Sequence, residues 1–169
     1  DTFRNLKPQV YRNLNDLAME KSTQTFANVA LESWKKFKDK SPIISIENPP
    51  AGGAFSTGEE LKKFVESAKQ TFVKNAVEKN LMSEHEAKKQ ADKLIGVTWD
   101  VGHINMMRKY GYDEKDIIQQ TKEVAPLVKH VHLSDNFGLE HTELPMGMGN
   151  VPTKEILALS KKFRDAKKI

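Results

Sequence analysis

The chain has 169 residues, enough for one domain with a real hydrophobic core. It contains no cysteine, which excludes a disulfide framework and any thiolate metal site, and no apolar run nears the roughly 20 residues of a membrane span. The net charge of +4 is mild, and the one basic cluster (Lys161, Lys162, Arg164, Lys167, Lys168) is interleaved only with Phe163, the composition of a solvated helix face rather than of a nucleic-acid strip.

With no recognisable signal sequence, a cytoplasmic location is expected. From Thr2 to about Lys38 the pattern is helical. Phe3, Leu6, Val10, Leu14 and Leu17 recur at helical spacing, and so do Phe26, Val29, Ala30, Trp34 and Phe37. Lys21–Thr25 between them predicts a kink or a break. Ser41-Pro42 ends this lead-in. Ile43–Glu47 then alternates as a strand, with Ile44 and Ile46 on one face and Ser45 and Glu47 on the other. Asn48-Pro-Pro-Ala-Gly-Gly53 is a loop. Ser56 or Thr57, with Glu59 or Glu60, reads as a capping box for a helix whose stripe is Leu61, Phe64, Val65, Ala68, Phe72 and Ala76. Ser83 with Glu86 opens another helix, on whose first turn His85 is exposed and without a role.

Next comes the stretch Ile95–His103. Ile95, Val97 and Trp99 alternate with Gly96, Thr98 and Asp100, so Asp100 closes a strand and Gly102 and His103 open the next helix. Met106 and Met107 are core filler. Asp113 caps a helix carrying Ile117, Ile118, Thr121 and Val124, stopped by Pro126. Lys129–Asp135 is a third strand, with His130, His132 and Ser134 on the face opposite Val131 and Leu133. A loop rich in ligand types (Asp135, Asn136, His141, Glu143) leads to Thr153, read as the cap of a terminal helix containing Ile156, Leu157, Leu159 and Phe163.

Strands alternating with helices predict parallel βα units. Each strand turns polar on one face near its C-terminal end: Ser45/Glu47, Thr98/Asp100, His130/His132. Strand C-termini are where parallel α/β proteins place their sites. Carboxylates and imidazoles gathered there suit Mn²⁺, Zn²⁺, Co²⁺ or Mg²⁺, the alternatives being a salt-bridged network without metal and, for Asp100 alone, a helix cap.

Four segments in order are Ile46-Glu47-Asn48, Trp99-Asp100-Val101-Gly102-His103, His130–Asp135 and Leu144-Pro145-Met146-Gly147-Met148-Gly149. Together, over roughly residues 40–155, they resemble the xylose isomerase-like TIM-barrel superfamily, which includes sugar isomerases and epimerases and the metal-dependent apurinic endonucleases. The resemblance implies an α/β fold of the (β/α)₈ type, here a partial barrel holding about strands 5–7 and their helices. The domain would run over 1–169, with a helical lead-in at 1–40, the metal-site βα units at 41–155 and a terminal helix at 153–169. A full barrel takes about 250 residues, so earlier strands and the eighth lie outside the resemblance.

In the sugar-epimerase branch the positions matching Glu47, Asp100 and His132 bind one divalent metal (Mn, Zn, Co or Mg). The matching glutamate also moves a proton, and the match of His103 contacts substrate. In the endonuclease branch His103 and the loop bearing Asp135, His141 and Glu143 hold further metals. That loop commonly reads Asp-x-His and here reads His141-Thr142-Glu143. The expected function is therefore a divalent-metal-dependent sugar or sugar-phosphate isomerase or epimerase of carbohydrate metabolism, working through an enediolate, with the 169 residues alone largely inactive. A small-molecule sugar or sugar phosphate is the expected partner; nucleic acid and membrane are not. The alternatives are an apurinic endonuclease-like phosphodiesterase, or a non-catalytic partial barrel that pairs with a second copy or a complementing barrel half. Open sheet edges favour such pairing. His132 is expected to fix its second ring nitrogen on Ser134 or a backbone carbonyl.

Overall fold

A parallel sheet with its strands in chain order carries the molecule. The computed structural model describes residues 13–159 and 167–168. The elements are α1 (Leu14–Phe37), β1 (Ile44–Glu47), α2 (Gly58–Glu78), α3 (Glu84–Leu94), β2 (Ile95–Asp100), α4 (Val101–Asn105), α5 (Glu114–Val124), β3 (Val128–His132), α6 (Thr153–Ala158) and β4 (Lys167–Lys168). Short 3-10 turns at Lys38–Lys40, Met106–Tyr110 and Ala125–Leu127 finish α1, α4 and α5. The result is a mixed α/β fold. Among the described residues no helix is long and apolar enough to cross a membrane.

The alternation read from the sequence builds the two faces of the sheet. Ile46, Val97, Trp99 and Val131 are buried, and the Trp99 indole N–H donates to Thr121 Oγ1 on α5 at 3.2 Å. Helix α2 starts at a complete capping box: the Thr57 hydroxyl accepts from the Glu60 N–H, and the Glu60 carboxylate accepts from that of Thr57. Its stripe Leu61, Phe64, Val65, Ala68, Phe72 and Ala76 is buried, each large side chain contributing about 1.5–3 kcal/mol. Asp113 caps α5 in the same reciprocal way with Asp116, and Ser83 accepts from the Glu86 N–H ahead of α3. Met106 and Met107 lie in the core, and His85 is exposed.

Several expectations change. The break expected at Lys21–Thr25 is not there. Helix α1 runs through it, and the Thr25 hydroxyl donates to the Lys21 carbonyl one turn back, at 2.9 Å. Its buried face is Ala27, Ala30 and Leu31, while Val29 and Phe37 point outward. The small alanines let α1 approach α2 closely, with Phe26 edge-on to Phe64. Thr153 does not cap α6: Pro152 holds the cap position, and the Thr153 hydroxyl donates to the Val151 carbonyl. The helix expected over 153–169 ends at Ala158, and the backbone of Lys167–Lys168 pairs with β3 as a fourth parallel strand. Phe3, Leu6, Val10, Lys161, Lys162, Phe163 and Arg164 lie outside the described residues.

One irregularity matters for the site. The β2–β3 register shifts between Val97 and Thr98, so that Val97 pairs with Val128 but Thr98 pairs with His130 and Asp100 with His132. Lys129 is the extra residue. Were Lys129 paired in a regular register instead, Asp100 would lie beside Val131, and the histidines would fall out of phase with the polar face of β2.

Candidate metal centre

The polar face of the sheet reads across β1, β2 and β3 as a connected row. Thr98 Oγ1 donates to Ser45 Oγ at 2.7 Å and lies 3.4 Å from His130 Nδ1. One step further toward the strand ends come Glu47, Asp100 and His132. His132 Nδ1 is 2.9 Å from Glu47 Oε1 and 3.6 Å from Asp100 Oδ2. Among the described residues these three form the one trio of carboxylates and imidazole whose ligand atoms all lie within 4.8 Å of one another.

Those spacings suit a shared cation. Ligand arms of about 2.1 Å set at right angles or tetrahedrally leave their tips about 3.0–3.4 Å apart. Two oxygens and one nitrogen form a donor set taken by Zn²⁺, Mn²⁺ or Co²⁺. The Asp100 side chain is 8 % exposed, whereas those of Glu47 and His132 are 41 % and 39 % exposed. The centre is thus anchored on one side and open to a ligand on the other.

Asp100 performs two tasks at once. Its Oδ1 accepts the His103 backbone N–H at 2.9 Å and caps α4, leaving Oδ2 directed at His132 and 3.8 Å from His103 Nε2. The capping and ligand readings of this residue are therefore compatible. The His103 ring is fixed by its Nδ1–H, which donates to the Asn48 carbonyl at 2.7 Å. A carbonyl only accepts, so in the neutral ring the Nε2 of His103 is the nitrogen that carries the lone pair. It faces His141 Nε2 at 2.9 Å, and that nitrogen lies 3.9 Å from Glu143 Oε1.

The other expected site residues separate. His103, His141 and Glu143 line the mouth of the centre, but Asp135 does not join them. Its carboxylate is 1 % exposed and accepts backbone N–H groups from Asn136, Gly147 and Val151 at 2.8–3.0 Å, so both oxygens serve the β3–α6 loop. His132 turns Nδ1 toward Glu47 and Asp100, and the Ser134 hydroxyl lies over Gly102.

Sequence reasoning gave no role to Asn48 or Asn105. Asn48 is fully buried and bonded to both backbone groups of Asp100. Asn105 donates to Asn136 Oδ1 and Asn150 Oδ1 at 3.0 and 2.8 Å, and Arg108 Nε donates to Asn105 Oδ1, tying α4 to the β3–α6 loop. Their signal was adjacency: each stands at the end of a strand or helix, where an amide can satisfy backbone groups. A groove of about 530 Å³ between α2 and α3, lined by Lys69, Val73, Val77 and Ala91, lies away from the strand ends. Comparison with known proteins found no matching family model, no matching curated protein and no matching solved structure.

Proposed function

We propose that Glu47, Asp100 and His132 hold a divalent cation and that the complete site is that of a sugar or sugar-phosphate isomerase or epimerase. The observation that carries this reading is the convergence of three ligand atoms, from the C-terminal ends of three parallel strands, within 4.8 Å. The parallel strands in chain order are also what one sector of a (β/α)₈ barrel would contain. A cation bound there supplies a Lewis acid for the carbonyl of an α-hydroxy carbonyl substrate.

The chain's own groups supply the rest. Glu47, at the exposed rim, takes the proton from the carbon next to the carbonyl. The electron pair of that C–H bond then forms the enediolate, and the proton returns to carbon to give the isomer or epimer. His103 offers the Nε2 lone pair to a substrate hydroxyl, its orientation fixed by the bond from Nδ1–H to Asn48. His132, with Nδ1 2.9 Å from Glu47 Oε1, keeps Glu47 in place. Proton abstraction is a half-reaction that needs only one base, so exchange of substrate hydrogen with solvent is the readout to follow. With Mn²⁺ and a panel of aldoses, ketoses and their phosphates in D₂O, deuterium should enter at the carbon beside the carbonyl. Glu47→Gln should slow this by about 10²–10⁴-fold at saturating metal. Equal incorporation by the variant would remove Glu47 from the chemistry, and no incorporation by the wild type would remove proton abstraction.

A second reading rests on the His103–His141–Glu143 row beside Asp100. It offers ligand types for an additional cation, as a metal-dependent phosphodiesterase of the apurinic endonuclease kind would need. Cleavage of a duplex containing an abasic site, with no deuterium incorporation into sugars, would select it.

A further inference from the structure

The β1–β2 ladder ends with Glu47 paired to Thr98. Asn48, the next residue, no longer pairs through its backbone, yet its side chain continues the ladder. Asn48 Oδ1 accepts the Asp100 N–H at 2.7 Å, and Nδ2 donates to the Asp100 carbonyl at 3.1 Å. A side-chain amide presents one acceptor and one donor side by side, the same pair that a neighbouring strand would present. The Asn48 backbone carbonyl is left over from the ladder and accepts the Nδ1–H of His103 at 2.7 Å. The same loop is tied again where the Ala51 N–H donates to the His103 carbonyl at 3.3 Å. Asn48 is 0 % exposed, so these bonds form out of water, where a lost partner leaves a bare polar group.

We infer that Asn48 is a positioning residue of the centre. Its amide fixes where the backbone of Asp100 lies relative to Glu47, the residue that immediately precedes it, and its carbonyl fixes the tautomer of His103. Glu47 and Asp100 are otherwise joined by no direct bond. Their separation is set by the clamp and by the His132 ring that bridges them. Aspartate has the same shape but presents an oxygen to the Asp100 carbonyl, so Asn48→Asp reverses one half of the clamp. Alanine deletes both halves. The inference rests on the cation reading for the metal part of its test; the tautomer part stands without it.

Two measurements on the same proteins test it. The first is titration with Co²⁺, followed by the visible d–d bands. Wild type should bind about one ion per chain, and Asn48→Asp and Asn48→Ala should bind about 10–100-fold more weakly with shifted bands, the usual effect of losing an outer partner of a ligand. Val65→Ala, a core truncation in α2 remote from the strand ends, should lower the thermal midpoint while leaving affinity and bands unchanged. Asn48 variants that match wild type in both would overturn the positioning role. The second measurement is the ¹⁵N shifts of the His103 ring in metal-free protein. These should report the Nδ1–H form in wild type and a mixture of tautomers in Asn48→Ala. An Nε2–H ring in the wild type would overturn the inference without any variant. Absence of Co²⁺ uptake by a wild type that holds the Nδ1–H form would instead end the cation reading.

Discussion

Gly102 shows how tightly the neighbourhood of the centre is built. It lies in the first turn of α4 between Asp100 and His103. A Cβ there would collide with Ser134 Oγ and come within 3.1 Å of Asn136 Nδ2 and 3.2 Å of Asp100 Oδ1. Alanine would bring about 1 kcal/mol of helix propensity. Overpacking costs about 1–3 kcal/mol, so the two effects offset only in part and leave a net loss of up to about 2 kcal/mol. They do not offset in geometry, since the side chains that must move include the Asp100 carboxylate. Gly102→Ala should therefore stay folded, with a thermal midpoint lower by at most about 8 °C, while losing about tenfold or more in cation affinity, as for other changes behind a ligand. A folded variant with unchanged affinity would show that Asp100 tolerates the shift. At this scale the candidate ligands were legible in the sequence, because period-2 alternation puts Glu47, Asp100 and both histidines on one face. The choice of His132 over His130 beside Glu47 came from the resemblance and not from the alternation, since it depends on how far along its strand each side chain stands. The role of Asn48 was not legible: a pattern that stops at the last alternating residue assigns its neighbour to the loop.

Among the larger elements, the β3–α6 loop contains a pH-sensitive device with a clear cause. Burial raises the carboxyl of Asp135, but backbone N–H groups of Val151, Gly149, Gly147 and Asn136 outweigh it and hold the group below its usual range. A carboxyl held lower in the folded chain than in the unfolded one stabilises the protein above the unfolded value of about 3.9. That contribution is lost as pH falls through the lower, folded value. Asp135→Asn keeps the shape but turns an N–H pair toward backbone donors, and it should cost about 3 kcal/mol near neutrality. The offset between variant and wild type, read from thermal unfolding, should narrow as the solution goes from about pH 5 toward about pH 2. A constant offset would mean that the charge of Asp135 is not what organises the loop. The sequence offered this residue as a ligand because residue type alone cannot tell a carboxylate facing solvent from one ringed by amides. The break expected in α1 rested on helix length, yet the helix runs on, with Thr25 bonded back to Lys21. The Thr57–Glu60 capping box was legible because both halves stand three residues apart; Asp113 was legible only as a cap, its return bond from Asp116 was not, and Ser83–Glu86, which has the same spacing, caps in one direction only. The extra residue Lys129 in β3 was not legible, since a register shift depends on the partner strand.

For the molecule as a whole, the cation reading has a thermodynamic consequence. Glu47, Asp100 and His132 come from three strands, brought together only when the sheet has formed across helices α2 to α5. The unfolded chain, with a net charge of +4, has no comparable cluster, so a cation held by the trio binds the native state almost exclusively. Binding then stabilises the fold by RT ln(1 + [M]/Kd), about 2.7 kcal/mol at a hundredfold excess over Kd. For a chain of this size that is a rise of about 5–10 °C in the thermal midpoint. Mn²⁺ or Zn²⁺ at that excess should produce it. Asp100→Asn should abolish it while keeping the cap on α4, because an amide oxygen can still accept the His103 N–H but brings no charge to the ion. That asymmetry separates a ligand from a structural aspartate. If Asp100 only caps the helix, asparagine is a near-neutral change and the metal-dependent rise survives. If Oδ2 holds the ion, the rise disappears and the metal-free midpoint stays close to that of wild type or increases, because removing one of two neighbouring carboxylates relieves their repulsion.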